Sequence, residues 1–417
     1  MRIALIIHQL QIEGGGERQI ICLAHALKER GHEVTIYTCA YDQANCYPQL
    51  CHALTIHDVG RGLWPSLRHP FFLRSFLDMV HLARAVDGRY EIWNPHHWPA
   101  QWAAGWLKKK SGGKVVWMAN DVPDFALKVF HPGSIRDALL IPLRLCYFFF
   151  DRIQDRRVDL AVLLSNWATH QFKLHYPVKT TIVPSGMDPA RFTPGGDRRK
   201  IRDRFGCTDG EFLLLWLGIF MPHRRLENAI RAVHELASRG VRIRLLLAGS
   251  DRSFPQYVNE LKELTKNLGV SEQVNFAGKI SDEEIRDFYA SCDGFVFPNE
   301  GQTWGLVVLE AMACGCLVFV SRGAAVHEAL ADGETAILFS AGNPRSLAQK
   351  IEMAIGSPQL REQIAARGMQ MVRDKFSWEH YAERVECVFQ DVLTQEGPRA
   401  LQPFRVGSHP TEAPKRS

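Results

Sequence analysis

No stretch of this chain holds a Cys-x-x-Cys pair or the Cys/His spacing that ligates zinc, although the chain has ten cysteines. That excludes a zinc ribbon and a dense disulfide framework. Cys314-Gly315-Cys316, the nearest pair, has apolar neighbours. The thiols therefore read as buried and reduced, as in a cytosolic protein, with a Cys46–Cys51 disulfide as the other reading. Long hydrophobic runs are missing as well. None reaches the ~18–20 apolar residues that span a bilayer, and the nearest, Ala138–Phe150, is broken by Pro142 and Arg144. The opening MRIALIIHQL has too short an apolar run, and no small-residue cleavage site, for a signal peptide. It reads as a buried strand. Nor is there a large excess of one charge: +5 on 417 residues gives no ground for nucleic acid as a partner. That balance suits an anionic small ligand or an acidic membrane surface. No Asp-x-Asp stands at a strand end, so no metal site is expected.

What is present is a globular balance, 46% hydrophobic and 23% charged, on a chain too long for one ordinary core. Short apolar strands alternate with amphipathic helices. In the first half, strand Ile3–Ile7 leads through Gly14-Gly15-Gly16 into a helix over about 17–30, which closes at Gly31. Strand Glu33–Thr38 follows, and further strands are expected at Tyr90–Asn94, Lys114–Ala119 and Leu160–Leu164. Turn formers crowd Pro184–Pro189 and Pro194–Asp197, marking a linker. The rhythm then restarts. Strands are expected at Phe212–Leu217, Arg242–Ala248, Val274–Phe276, Gly294–Pro298 and Leu317–Val320. Helices are expected over Leu226–Arg239, Tyr257–Leu268, Asp282–Ser291 and Val307–Cys314. The fold class is α/β, two Rossmann-like doubly wound domains facing a cleft. The boundaries read 1–183, 184–376, a last helix over 377–394 and a disordered tail over 395–417, rich in Pro, Gly, Arg and Ser.

Three loops carry candidate chemistry. Gly15, Gly16 and Glu17 sit between a strand and a helix, where backbone approaches a ligand closely and free N–H groups meet an anion. The next strand ends at Thr38 with no acidic residue to hold a ribose, which counts against a nicotinamide dinucleotide there. After the strand that ends at Leu217, Gly218 opens a turn to Arg224 and Arg225. Two guanidinium groups at a helix start oppose the helix dipole unless a phosphate joins them. The third loop runs from Phe297 through Glu300, Gln302, Thr303, Trp304 and Gly305 into a helix starting with Leu306 and Val307. Glu310, one turn on, is placed to accept hydrogen bonds from ribose hydroxyls.

With those residues in view, the chain resembles the retaining glycosyltransferases of the GT-B fold, glycosyltransferase family 4, over about residues 1–393. Pro184–Phe192 resembles the family's interdomain segment, and Gly278-Lys279-Ile280-Ser281-Asp282 its nucleobase loop. Gly305–Gly315 resembles its donor-site helix. Gly14–Gln19, Gly31–Thr38, Asp42–Cys46 and Val122–Asp124 are similar to mannosyltransferases that extend lipid-linked oligosaccharides. The resemblance implies a last helix that returns to the N-terminal domain. It implies a donor such as GDP-mannose or a UDP-sugar, a glycan or polyprenyl-linked acceptor, and no cofactor. It implies work in the cytoplasm, with peripheral contact at a membrane face as one option.

The chain also departs from the family. The family's two glutamates, eight positions apart, are here Gln302 and Glu310, with Glu300 two residues before Gln302. Its Arg/Lys phosphate clamp is here Ile219 and Arg224, with Arg225 as the candidate replacement. Where a histidine often follows the strand near Ala119, this chain has Asn120 and Asp121. Asn120 is placed to bond the sugar and Asp121 to take an acceptor proton. Arg136, Arg144, Arg152, Arg156 and Arg157 surround the apolar run at Ala138–Phe150. Membrane contact and a buried helix are equal readings of it. Two other functions share the scaffold: a sugar epimerase or phosphorylase, and a subunit that binds nucleotide without turnover.

Overall fold

The computed structural model describes residues 1–12, 14–61, 71–120, 141–281 and 283–394. Asp121, Val122–Asp124, Asp282 and the tail 395–417 lie outside the described residues, so the readings made on them stand only as expectations. The chain forms two compact units, Met1–Gly186 with the last helix, and Met187–Ser377.

The first unit is a seven-stranded parallel sheet in the order β3-β2-β1-β4-β5-β6-β7. Its strands are β1 Arg2–Ile7, β2 Glu33–Thr38, β3 Ile56–Asp58, β4 Ile92–His96, β5 Lys114–Met118, β6 Leu160–Leu163 and β7 Thr180–Ile182. The second unit is six-stranded, in the order β10-β9-β8-β11-β12-β13. Here β8 is Phe212–Leu217, β9 Ile243–Ala248, β10 Val274–Gly278, β11 Gly294–Phe297, β12 Val318–Ser321 and β13 Ile337–Phe339. Both are Rossmann-like. In each the chain steps outward from the first strand, then crosses back to the other side. This leaves a switch point beside β1/β4 and another beside β8/β11, where ligands of such sheets bind beyond the strands' carboxyl ends. Strands buried on both faces need continuous apolar sequence, which FLLLWL in β8 supplies.

The expected strands formed with small shifts. β4 runs two residues beyond the apolar pattern, and its polar residues find partners on β5 and on β4 itself. Asn94 donates to the Val116 carbonyl at 2.5 Å, and its Oδ1 meets His96 Nε2 at 2.9 Å, all out of solvent. β3, β7 and β13 went unread; each has three residues, too few to establish a period. Helices Pro344–Ile355 and Pro358–Lys375 went unread as well. The last helix, Trp378–Thr394, packs on the first, Gly15–Glu29, where Arg30 Nε donates to Glu386 at 2.5 Å.

Not every thiol is buried, as was expected: Cys146 and Cys387 are exposed, and none of the ten is in a disulfide. Cys51 Sγ donates to the Cys46 carbonyl at 3.2 Å instead. Among the described residues, no helix is long and apolar enough to cross a membrane. Helix Ile141–Asp155 divides its surface. Phe150 packs edge-on against Phe76 and Trp102, while Phe149 and Ile153 are 62% and 55% exposed.

The same helix buries two carboxyl groups one turn apart. Asp151 accepts from Trp102 Nε1 at 2.5 Å, Gln101 at 3.1 Å and Tyr176 at 2.8 Å. Asp155 is equally buried, and neither of its oxygens has a partner among the described residues. Burial, then the charge of Asp151, push the Asp155 carboxyl up to about 9. Its folded pKa lies above the unfolded ~3.9, so the proton helps the fold. That contribution is complete below pH ~4 and is lost as pH rises through about 9. Asp155→Asn removes the titration without changing shape. The variant should melt a few degrees above the parent at pH 8 and show no such gain at pH 4. An equal shift at both pH values would rule out this titration.

Candidate active site

β8 and β11 are neighbours in the sheet although about 80 residues separate them, and their ends bring two of the expected loops together. Beyond β8, a short 3₁₀ turn, Pro222–Arg224, aims Arg224 inward. Arg225 then takes a left-handed conformation, φ 52°, and starts helix Leu226–Ser238. Beyond β11, Asn299 is wholly buried, and the Glu300 N–H donates to the His223 carbonyl at 3.0 Å, tying loop to loop.

The two arginines are not equivalent. Arg225 is half exposed and faces two carboxylates, Glu300 at 3.2 Å and Glu227 at 3.5 Å. Such exposed pairs contribute little. Arg224 instead donates to the amide oxygen of Gln302, which also accepts from Asn299 Nδ2. Arg224 Nε is buried without a partner among the described residues, and burial pulls the guanidinium down to about 10. It stays charged at neutral pH, a desolvated cation beside a neutral amide. A buried cation of this kind is costly unless an anion joins it. Burial and the Arg224 charge also pull His223 below the usual imidazole range.

Downstream, Gly305 leads into helix Leu306–Ala313, whose first N–H groups have no intrahelical acceptor. A Cβ at Gly305 would come within 3.0 Å of the Phe297 ring, so a side chain there would require the ring to give way by a few tenths of an ångström. Trp304 is 5% exposed and lies 6.2 Å from the Phe376 ring, so it supports the loop from beneath. Thr303 and Val307 are half-buried. Glu310 is nearly out of solvent and accepts from Tyr289 OH at 3.4 Å, so it is no simple surface carboxylate. Lys279 is exposed just past β10, and β9 separates that edge strand from β8. The structure does not bring it to the Arg224–Gln302 pair.

In the first unit the glycine loop has a companion that sequence reading missed. A Cβ on Gly16 would overlap the ring of His97, so histidine and loop are in close approach. His97 follows β4 in a left-handed conformation, φ 58°, and its N–H donates to the Met118 carbonyl at 3.1 Å. No histidine directly follows β5, and His97 follows the neighbouring strand β4. Gly15 begins the helix, and the Glu17 carboxylate folds back over Gly14. Tyr47 OH donates to the Gly14 carbonyl at 3.2 Å. Asn120, almost fully buried, donates to Gln19, whose amide donates to Ser185 at 3.0 Å. Among the described residues, no group of three His, Cys, Asp or Glu is placed to hold a metal.

Known protein families match the chain in both halves. Residues 197–371 match the model described as glycosyl transferases group 1, and residues 13–191 match glycosyltransferase family 4. The D-inositol 3-phosphate glycosyltransferase of Corynebacterium diphtheriae is 26% identical over 98% of this chain and 99% of its own length. The mannosylfructose-phosphate synthase of Agrobacterium fabrum is 25% identical over 89% of this chain and 85% of its own. Among solved structures, HepE of Anabaena, in complex with UDP-glucose, superposes with a TM-score of 0.73 at 17% identity, covering 93% of this chain and 99% of that one. Matched in both halves, the chain belongs to the glycosyltransferases of the GT-B fold, which move a sugar from a nucleotide-sugar donor.

Proposed function

We propose that this protein is a retaining hexosyltransferase that takes its sugar from a nucleoside-diphosphate donor and passes it to a glycan or a polyprenyl-linked acceptor. The observation that carries the donor half is the buried, carboxylate-free Arg224 at the β8/β11 switch point. A leaving diphosphate is the anion such a cation stabilises, and the first turn of helix Leu306–Ala313 offers further N–H groups. Arg225 is the second cation for the diphosphate, at the expense of its pairs with Glu300 and Glu227. Gln302 contacts the sugar and Glu310 the ribose. A retaining reaction of this kind needs no protein nucleophile. The acceptor hydroxyl attacks from the face the diphosphate leaves, and a phosphate oxygen takes its proton.

Two guanidinium groups supply the charge that a metal would otherwise bring, so we take the reaction to be metal-independent. Within the first unit, Gly15, Gly16, His97 and Asn120 are the candidate ligand-binding groups, with Glu17 folded over the glycine loop. Mannose is the first sugar to test, on the likeness of the N-terminal segments to mannosyltransferases; UDP-hexoses are the second. The work is assigned to the cytoplasm. The exposed Phe149 and Ile153, beside Arg152, suit peripheral contact with a membrane that carries the acceptor.

A thermal-shift screen of GDP, UDP, ADP and their hexose conjugates, run in EDTA, tests the donor half. At 100 times its Kd a ligand adds about 2.7 kcal/mol of stability, and one base should stand out. Transfer assays with the selected donor then compare lipid-linked with water-soluble acceptors, and the lipid-linked should be preferred. Dependence on added Mg²⁺ would contradict the metal-free reading. No response to any nucleotide would contradict the donor site itself.

A further inference from the structure

We propose that Gln302 is held permanently as an N–H donor, and that it selects a hexosyl group bearing an oxygen that accepts without giving a proton back. A hexuronate carboxylate and an N-acyl carbonyl are the two sources of that chemistry. The inference rests on the β8/β11 end being the donor site, as above, and it adds a substituent to the hexose proposed there.

One group sets the polarity of the whole cluster. A guanidinium carries donors only, so the Gln302 atom that meets Arg224 is its Oε1. Asn299 meets the same oxygen, so its facing atom is Nδ2. Turning either amide over would set donor against donor or acceptor against acceptor. Both lone pairs of Gln302 Oε1 are thereby occupied. Asn299 holds this orientation although its own Oδ1 is left buried without a partner among the described residues. What Gln302 still presents is its NH₂ group, on a half-buried side chain, and no described residue accepts from it.

The charges nearby agree. The carboxylate usual at this position in the family would offer an acceptor and would repel an anionic sugar; the amide does neither. Glu300 is occupied by Arg225, and Glu310 accepts from Tyr289, while Arg224 remains uncompensated. A sugar hydroxyl can accept from Gln302 too, but it must place its own proton on some acceptor. A carboxylate or an acyl carbonyl takes the N–H groups and needs nothing in return. Gln302 is thus specificity-determining, and Asn299 is a positioning residue that acts through it.

The test is binding by the full-length chain, which requires no knowledge of the acceptor. Calorimetry would compare three donors on the preferred nucleoside diphosphate: the plain hexose, the 2-acetamido-2-deoxyhexose and the hexuronate. At least one substituted donor should bind tenfold or more tightly than the plain one. Preference for the hexuronate assigns the carboxylate, and preference for the acetamido sugar assigns the carbonyl. Gln302→Glu, isosteric and still able to pair with Arg224, should weaken the preferred donor at least tenfold more than it weakens the plain hexose. Asn299→Ala should shrink the ranking to within threefold without changing affinity for the bare nucleoside diphosphate, which a merely misfolded loop would lose. Equal binding of all three donors, with the bare nucleotide still bound, overturns this inference alone, as does an unchanged ranking in Gln302→Glu. Failure of the bare nucleotide to bind overturns the donor site and this inference with it.

Discussion

Arg224→Met should lower kcat/KM by about 10²–10³-fold, the usual cost of removing one preorganised group from developing transition-state charge. Methionine keeps the stem and most of the volume, so the change isolates the charge. The fold should not suffer. Removing one partner of a buried ion pair is destabilising because it strands the other charge, but here the partner is the neutral Gln302 amide, which keeps its bond from Asn299. Stability is expected to stay within about 1 kcal/mol of the parent, or to rise. Arg225→Met is the contrast. That guanidinium is half exposed and already shared by Glu300 and Glu227, so its loss should cost less than tenfold. Steady-state kinetics on both variants, with melting curves alongside, decide the matter. A change within threefold for Arg224→Met would remove Arg224 from its assigned place, and an equal loss in Arg225→Met would give the two arginines equal shares of the charge.

Gly249→Ala should be the most damaging single methyl group near the site. Gly249 follows β9 at φ +149°, and a Cβ there would fall almost on the carbonyl oxygen of Gly218. Neither atom can rotate away, because both belong to backbone that is pinned. The Gly249 N–H donates to the Gly278 carbonyl at 2.8 Å, and the Gly218 N–H to the Ala248 carbonyl at 3.0 Å. Relief requires the ends of β8 and β9 to part. Overpacking of this kind costs about 3 kcal/mol or more, which in a unit of this size lowers Tm by roughly 6–12 °C. Gly218 begins the turn that carries Arg224, so nucleotide affinity should fall in the same variant. A melting curve and a nucleotide titration check both parts, and a Tm within 2 °C of the parent, roughly the shift expected from 0.5–1 kcal/mol, would show that the strand ends separate freely.

The two predictions differ in how far the sequence anticipated them. Arg224 was readable as a phosphate candidate because its signal is local: two guanidinium groups at a helix start, just after a buried strand. The repeated β-α rhythm, and hence two Rossmann-like sheets, was readable for the same reason, since hydrophobic periodicity needs only a few consecutive residues. Glu310 was readable from its place one turn into a helix, and Gln302 from the resemblance to a family with two glutamates eight positions apart. The unread pieces failed on the same criterion. β3, β7 and β13 have three residues each, and the end of β4 is polar, with Asn94 bonded both to the neighbouring strand and to His96.

By itself, then, the sequence determined the class of fold, the elements around the site and the type of residue at each loop. Only the tertiary structure decided who meets whom. It gave Arg224 to Gln302, 78 residues away, and Arg225 to Glu300. It set His97 over Gly16 and made Asn299 the second donor on the Gln302 oxygen. The physical reason is the crossover in each sheet. β8 meets β11, and β1 meets β4, only after intervening strands and helices have packed elsewhere. Periodicity is a property of neighbours in the chain. Hydrogen-bond polarity and charge compensation belong to neighbours in space.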